Sequence, residues 1–130
     1  MQMRNYSVSS GPPPFLPGKS PSADILVVED PFVSTFLRAV LQKHGHKVVI
    51  GEAVRASELL GQRSIAPDLV ITNTPDLFLQ FAGTLPLLYI AANPDPGIAS
   101  QFPNCRVLRK PFRNGELLEA VEQLVEAVVP

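Results

Sequence analysis

Four polar residues that could carry chemistry follow three apolar segments of this sequence. Glu29 and Asp30 come directly after the run ILVV, Asn73 follows DLVIT, and Lys110 follows CRVLR. Two adjacent carboxylates repel each other and attract a cation, and hard divalent ions such as magnesium favour oxygen ligands of this kind. A lysine nearby can form an ion pair with a carboxylate or hold a phosphoryl oxygen as a point charge.

The same residues also allow a purely structural interpretation. Asp30 can cap a helix that begins at Pro31, because aspartate accepts backbone N–H groups there and proline suits the first turn. Glu29 is then a candidate ion-pair partner for Lys110, and Asn73 can hydrogen-bond the backbone of a turn. In that case the acidic pair binds no metal.

The elements that would position these residues alternate between strand and helix. Short apolar runs, as buried parallel strands require, lie at 25–28, 47–50, 68–72, 86–92 and 105–111. Helical patterns follow each of them; the first is a stripe of Val33, Phe36, Leu37, Val40 and Leu41, and the last begins at Asn114 as its predicted N-cap. Five such alternations predict an α/β fold, with a parallel sheet covered on both faces in a three-layer α/β/α sandwich. Functional residues then gather at the carboxyl ends of the strands.

Composition narrows the class of protein. The net charge of −1 gives no basic footprint for nucleic acid, and no apolar run is long enough to span a membrane. The single cysteine, Cys105, excludes an internal disulfide framework, and the N-terminus lacks the apolar core of a secretion signal, so we expect a cytoplasmic protein. No nucleophile stands beside a base, so an enzyme is not expected. His44 and His46 flank Gly45 at a helix end, where favourable helix-end charge is the predicted role.

The first 23 residues differ in composition from the rest of the chain. Serine, glycine and proline dominate there, and five of the 14 prolines precede residue 22. We predict a disordered or extended leader over residues 1–23 and one domain over residues 24–130. The segment PPPFLP can alternatively be a proline-rich docking peptide. Phe15 and Leu16 could also fold back and fill space on the domain.

Four segments, in order, resemble parts of the receiver domain of two-component response regulators. They are DILVVEDPFVSTFLRAVLQKHGHKV, DLVIT, PLLYIAA, and RKPF followed by GELLEAVEQLV. The resemblance covers residues 24 to about 127 and implies a flavodoxin-like sheet with strand order 2-1-3-4-5. It implies that Glu29 and Asp30 match the acidic pair that helps bind magnesium, that Lys110 matches the family's lysine, and that Pro111 follows a cis peptide bond.

Other positions depart from the family's pattern. The resemblance places the phosphoacceptor aspartate on Asn73, the hydroxyl residue that senses the phosphoryl group on Ala91, and the aromatic switch on Val107. Phosphoryl transfer to the domain needs a carboxylate nucleophile, and a neutral amide is far less nucleophilic. Pro86 follows Asn73 by only 13 positions. This interval is short for the family, so the third helix is predicted to be shortened, and the fourth as well.

These departures predict a degenerate receiver, or pseudo-receiver, that serves as a phosphorylation-independent protein–protein interaction module. Its partner would be another signalling protein, with a histidine kinase or a response regulator as candidates. The resemblance places a partner or homodimer face around residues 95–128. The alternative is a ligand-gated sensor that binds a divalent metal or small anion at Glu29, Asp30 and Lys110. Because Asn73 withdraws one negative charge, Mg²⁺ affinity is expected to be low. The sequence fits either a stand-alone domain or part of a longer protein.

Overall fold

The structure, a computed structural model, describes residues 22–126 in full and the backbone of residues 127 and 128. Strands and helices alternate in the expected order. The strands are β1 (Asp24–Val28), β2 (Lys47–Ile50), β3 (Leu69–Thr72), β4 (Leu87–Ala91) and β5 (Cys105–Arg109). The helices are α1 (Pro31–Lys43), α2 (Ala53–Gly61), the 3₁₀ helix η1 (Pro75–Phe81), α3 (Pro96–Ala99) and α4 (Asn114–Val128). Residues 1–21, most of the predicted leader, lie outside the described residues.

The five strands form one sheet in which every neighbouring pair is parallel, in the order β2-β1-β3-β4-β5. This confirms the predicted flavodoxin-like α/β/α topology. The central strands are mostly apolar because helices cover both of their faces; all four residues of β3 are buried, including Thr72. The edge strands β2 and β5 are only partly buried.

One face of the sheet, here called the long-helix face, is covered by α1 and α4. These helices span 13 and 15 residues and present continuous apolar stripes to the sheet. Leu37 and Leu41 of α1 and Leu117 of α4 are fully buried. The core beneath them includes Ile25, Val27, Leu69, Ile71, Leu88, Ile90 and Leu108.

The opposite face, here called the short-helix face, is covered by α2, η1 and α3. These helices span only 9, 7 and 4 residues. Their core is built around Leu26, Val28, Val70, Phe78, Leu87 and Tyr89. The predicted shortening of the third and fourth helices is confirmed, since η1 is a 3₁₀ helix and α3 is a single turn.

Short helices leave the two edges of the short-helix face uncovered. Val49 of β2 is aligned with buried Leu26, and Val107 of β5 is aligned with buried Tyr89. Aligned residues of parallel strands point to the same face of a sheet. Yet Val49 is 63% exposed and Val107 is 44% exposed, because the short helices α2 and α3 cover these edges only in part.

β5 is an edge strand of the described sheet, so half of its main-chain N–H and C=O groups have no partner strand. The carbonyl of Asn104 accepts from Leu87 N, and Lys110 N donates to the carbonyl of Ala91, so these residues face β4. Because main-chain groups alternate along a strand, those of Cys105, Val107 and Arg109 point away from the sheet.

The amino end of β1 is held by three hydrogen bonds to two other segments. Ala23 N donates to His46 Nδ1 (3.1 Å), Ser22 Oγ donates to the Gly45 carbonyl (2.7 Å), and Asp24 N donates to Asp68 Oδ2 (2.9 Å). Gly45 has φ of +91°, a conformation that suits glycine at the end of α1. His46 is buried, so its role is structural and not the predicted helix-end charge. His44 fits that prediction better, since its Nδ1 lies 3.0 Å from the Val40 carbonyl of α1.

Two local predictions about helices were wrong. Asn114 is not the N-cap of α4 but its first residue. The helix start is held by Glu116, whose Oε1 accepts from Arg113 N (2.8 Å). Phe36 was assigned to the buried stripe of α1, yet it is 43% exposed.

Candidate functional site

The predicted site residues lie at the carboxyl edge of the sheet. Glu29 follows β1, Asn73 follows β3 and Lys110 follows β5. The register pairs Val28 with Thr72, so Glu29 and Asn73 leave adjacent strands at the same level. The structure brings Glu29 and Lys110 into direct contact, whereas no hydrogen bond joins Asn73 to either of them within the described residues.

The centre of the site is an ion pair between Glu29 and Lys110. Lys110 Nζ lies 3.0 Å from Glu29 Oε2, although β1 and β5 are separated by two strands. The Glu29 side chain is completely buried and that of Lys110 is 27% exposed. Oε2 receives no well-directed hydrogen bond, so its contact with the ammonium group is chiefly electrostatic. Glu29 Oε1 accepts from Asp30 N (3.0 Å).

Asp30 serves the start of α1. Its Oδ1 accepts a hydrogen bond from Val33 N (3.1 Å), which satisfies one of the free N–H groups of the first helical turn. Ser34 Oγ adds a bond to the Glu29 carbonyl (3.0 Å). The two carboxylates of the acidic pair therefore have separate tasks, as the structural interpretation of the sequence predicts.

The turn after β3 is held by two threonines that sequence reasoning missed. Thr74 N donates to Thr72 Oγ1 (3.0 Å), and the two threonine hydroxyls lie 3.1 Å apart. Thr72 is fully buried, whereas Asn73 between them is exposed and its side chain makes no hydrogen bond within the described residues. The predicted turn-bonding role therefore belongs to Thr72. Hydroxyl residues on both sides of Asn73 were the available signal.

Among the described residues, neither Ala91 nor Val107 contributes a side-chain hydrogen bond to the ion pair. Ala91 ends β4, and its carbonyl accepts from Lys110 N (2.9 Å), but its side chain is a methyl group. Val107 faces a groove beside α3 that is lined by Pro96, Phe102 and other residues. The aromatic ring nearest in register is Tyr89, whose hydroxyl accepts from Asp95 N (3.1 Å).

An aromatic patch adjoins the ion pair and is formed by Phe32, Phe36 and Phe112. Phe32 is 91% exposed, and the rings of Phe36 and Phe112 have centroids 6.3 Å apart in a tilted arrangement. Together with Lys110 and Pro111 these rings line a shallow groove. The peptide bond between Lys110 and Pro111 is cis. The sequence signal for the patch was Phe32, which is apolar but lies off the buried stripe of α1.

The residues present do not fit a magnesium site. Glu29 is paired with Lys110, Asp30 caps α1, and Asn73 contributes a neutral amide. Within residues 22–128 no group of three or more histidine, cysteine or acidic residues is placed to hold a metal ion. In the same range no helix is long and apolar enough to cross a membrane.

Cys105, the single cysteine, is half-buried at the start of β5. Burial raises the pKa of its thiol, so the reactive thiolate is disfavoured at neutral pH. An unreactive thiol agrees with the lack of a paired base in the sequence.

No protein-family model matches this sequence, and no curated protein matches it. Solved structures do match. A response regulator receiver protein from Sinorhizobium medicae is 23% identical, with 82% of this chain and 96% of that chain covered and a TM-score of 0.67. NtrX from Brucella abortus, solved with ADP, is 23% identical over 82% of this chain and 26% of its own, with a TM-score of 0.67.

A third structure is a mutant form of the anti-anti-sigma factor PhyR from Bartonella quintana. It is 18% identical, with 84% of this chain and 50% of that chain covered and a TM-score of 0.65. The described part of this chain therefore has the receiver-domain fold. It spans about a quarter of NtrX and half of PhyR, so the fold occurs both nearly alone and within longer proteins.

Proposed function

We propose that this chain is a receiver-like signalling domain of two-component type that acts without aspartyl phosphorylation, as a protein–protein interaction module. The observation that carries the proposal is the residue at the end of β3. Asn73 offers an amide at the place where the fold's phosphoacceptor would stand, and an amide is a poor nucleophile toward a phosphoryl group.

The neighbouring carboxylates cannot take over the role of acceptor. Glu29 is buried and held 3.0 Å from Lys110 Nζ, and Asp30 is engaged by the backbone of α1. A phosphoryl group on Glu29 would have to enter a space closed to solvent. Ala91 and Val107 supply neither a hydroxyl nor an aromatic ring to report phosphorylation.

The aromatic patch is the surface best suited to a protein partner. Large exposed aromatic side chains are enriched in the centres of interfaces and are rare on monomer surfaces without function. Phe32 is almost completely exposed, and the capped first turn of α1 fixes the position of its backbone. We propose another signalling protein, a histidine kinase or a response regulator, as its partner.

The face around residues 95–128 is the second candidate surface and the one through which a homodimer would form. There α3 is a single turn, and Val107 stays exposed beside it. The two surfaces are separable by one substitution each, Phe32→Ser in the aromatic patch and Val107→Ser on β5. Both side chains are exposed, so neither change should unfold the domain.

The test is an NMR titration of the labelled chain, first with Mg²⁺ and then with Mg²⁺ plus beryllofluoride, a mimic of the aspartyl phosphate. The proposal expects no change that spreads to β5 and α4 in either step. Wide shifts with beryllofluoride would show a working phosphorylation switch and would refute it. Saturable shifts confined to Glu29, Asp30 and Lys110 would favour the alternative, a sensor for a divalent metal or small anion.

Partner binding is measured separately with candidate histidine kinases and response regulators. Phe32→Ser is expected to weaken binding about tenfold or more, as loss of an aromatic anchor does. Val107→Ser is the matched control. A larger effect of Val107→Ser, or its disruption of a dimer in sedimentation, would move the interface to residues 95–128.

A further inference from the structure

A small apolar groove lies at the β2 edge of the short-helix face, at the amino end of the sheet. Its volume is about 260 Å³. Leu26, Val49, Ile65 and Pro67 form its apolar lining, and Asp24 and Lys47 lie at its margin. We call it the β2-edge groove.

The groove exists because α2 is too short to cover this corner. The helix ends at Gly61, and the chain returns to β3 through Ile65 and Pro67 without another helical turn. Val49 is left 63% exposed beside Leu26, which is 3% exposed. An apolar concavity on a sheet face is a place where a further apolar segment would be stabilised by burial.

The chain itself enters the described structure at this corner. Asp24 lines the groove, and the two residues before it, Ser22 and Ala23, are fixed by their bonds to Gly45 and His46. Residues 1–21 are therefore attached to the domain two residues before Asp24. Phe15 lies seven residues before Ser22, a distance that an extended chain spans with about 23 Å of reach.

The tethered residues have the chemistry that the groove would accept. Between residues 12 and 17 the sequence is PPPFLP, which places Phe15 and Leu16 among four prolines. Proline restricts the unbound chain, so docking such a segment loses less conformational entropy than docking a flexible one. An apolar pair with this stiffness matches a groove lined by valine, leucine and isoleucine.

Charge favours the same pairing. Residues 1–21 contain Arg4 and Lys19 and no acidic residue. Asp24 lines the groove, and Asp68 Oδ2 accepts from Asp24 N; both carboxylates are exposed. Lys47 is the one basic residue of the groove lining. Lys19 precedes Asp24 by only five residues and can approach these carboxylates once the leader turns toward the groove.

We propose that residues 12–17 of this chain pack into the β2-edge groove, with Phe15 and Leu16 covering Val49. The leader thereby completes the short-helix face at one edge and takes the place of the helical turn that α2 lacks. Val107, at the opposite edge of the same face, stays open. The groove is thus filled from within the chain and is not the site of a separate partner.

The first test measures contacts in the full chain by NMR, with labelled valine, leucine and isoleucine methyl groups. Cross-relaxation between the Phe15 ring and the methyl groups of Val49 or Ile65 is expected. The double change Phe15→Ala with Leu16→Ala should shift these methyl signals, whereas Met3→Ala with Val8→Ala, the matched leader control, should not. Absence of contacts, with unchanged methyl signals in the first variant, would overturn the proposal.

Limited trypsin cleavage after Lys19 gives a second measurement. A docked leader is cut only when it opens, so cleavage follows the population of the open form. Val49→Ser is expected to speed this cut by about tenfold, and Val107→Ser, the same change at the other edge, should leave it unchanged. Equal rates in wild type and both variants would contradict docking.

A sample that mixes labelled and unlabelled chains distinguishes docking within one chain from docking by a second copy. Contacts that appear only between different chains, and that grow with concentration, would assign the groove to a second copy and would refute intramolecular docking. Contacts within one chain at every concentration support it.

Discussion

The two faces of the sheet are covered by helices of very different length. On the long-helix face α1 and α4 bury their leucines completely, while on the short-helix face α2, η1 and α3 leave Val49 and Val107 exposed at opposite edges. Both sets of helices pack on the same five-stranded sheet. The comparison teaches that the length of the covering helices decides how much apolar surface of a sheet stays exposed.

The largest expected effect is on the free energy of unfolding, and it is tested with one residue from each face beside β5. Leu117→Ala on α4 removes a fully buried side chain and should lower the free energy of unfolding by about 2–5 kcal/mol. Ile98→Ala on α3 removes a half-buried one, so about 1 kcal/mol is expected. Urea unfolding followed by circular dichroism measures both. Equal losses would break the comparison between the faces.

A second effect comes from the ion pair, whose two partners differ in exposure. Lys110→Met leaves the buried Glu29 carboxylate without a counter-charge, and we expect a loss of about 3 kcal/mol in unfolding free energy. Glu29→Gln leaves an ammonium group that already reaches water, so about 1 kcal/mol is expected.

The double variant Glu29→Gln with Lys110→Met serves as control for the ion pair. It carries no buried charge and should resemble Glu29→Gln alone, because effects on a contacting pair do not add. Additive losses in the same urea experiment would mean that the charges act independently.

We expect a smaller, pH-dependent effect on the free energy of unfolding from His46, at the amino end of the sheet. Burial, and then the charge of His44, lower the pKa of His46 in the folded protein. As the pH falls below about 6.5, the unfolded chain therefore binds a proton before the folded one does. The contribution of His46 to the free energy of unfolding should be fully present above that pH. It should decrease as the pH falls toward the lowered pKa of the folded protein, with a slope no steeper than about 1.4 kcal/mol per pH unit.

Urea unfolding at a series of pH values measures this dependence. His46→Gln should abolish most of it, since the titrating group that bonds Ala23 N is gone. His44→Gln should keep it, because burial is the larger cause of the shift. If the His44 variant instead loses the dependence, the assignment to His46 is wrong.

The smallest effect is expected from Asn73→Asp. Asn73 is exposed and its side chain bonds nothing within the described residues, so unfolding free energy should change by no more than about 0.5 kcal/mol. The variant gains a carboxylate but still lacks a hydroxyl at Ala91 and a ring at Val107. Beryllofluoride should thus shift NMR signals near residue 73 at most. A response that reaches α4 would show that the readout survives.

The sheet and the order of its elements could be predicted because apolar runs and turn residues are local signals. The ends of β1, β3 and β5 placed Glu29, Asn73 and Lys110 at one edge without any distance information. Helix boundaries were less accessible. Asn114 and Glu116 both suit the start of α4, and the sequence alone does not decide which side chain makes the bond.

Exposure could not be predicted where it depends on a neighbouring element. Phe36 has the right spacing for the core of α1, but it is drawn into contact with Phe112, which is far away in the sequence. Val49 has the pattern of an ordinary strand residue, and only the early end of α2 leaves it exposed. His46 was expected to contribute charge at a helix end. Its observed role, accepting a hydrogen bond from Ala23 N, depends on a residue that is distant in the sequence.

The free edge of β5 has a consequence for how the protein behaves in concentrated solution. Unpaired main-chain groups of an edge strand are a template for strand addition, the first step of fibrous aggregation. Arg106 and Arg109 of β5 are both exposed. Two copies that met along this edge would bring four guanidinium groups together, so cationic repulsion opposes polymerisation through the strand.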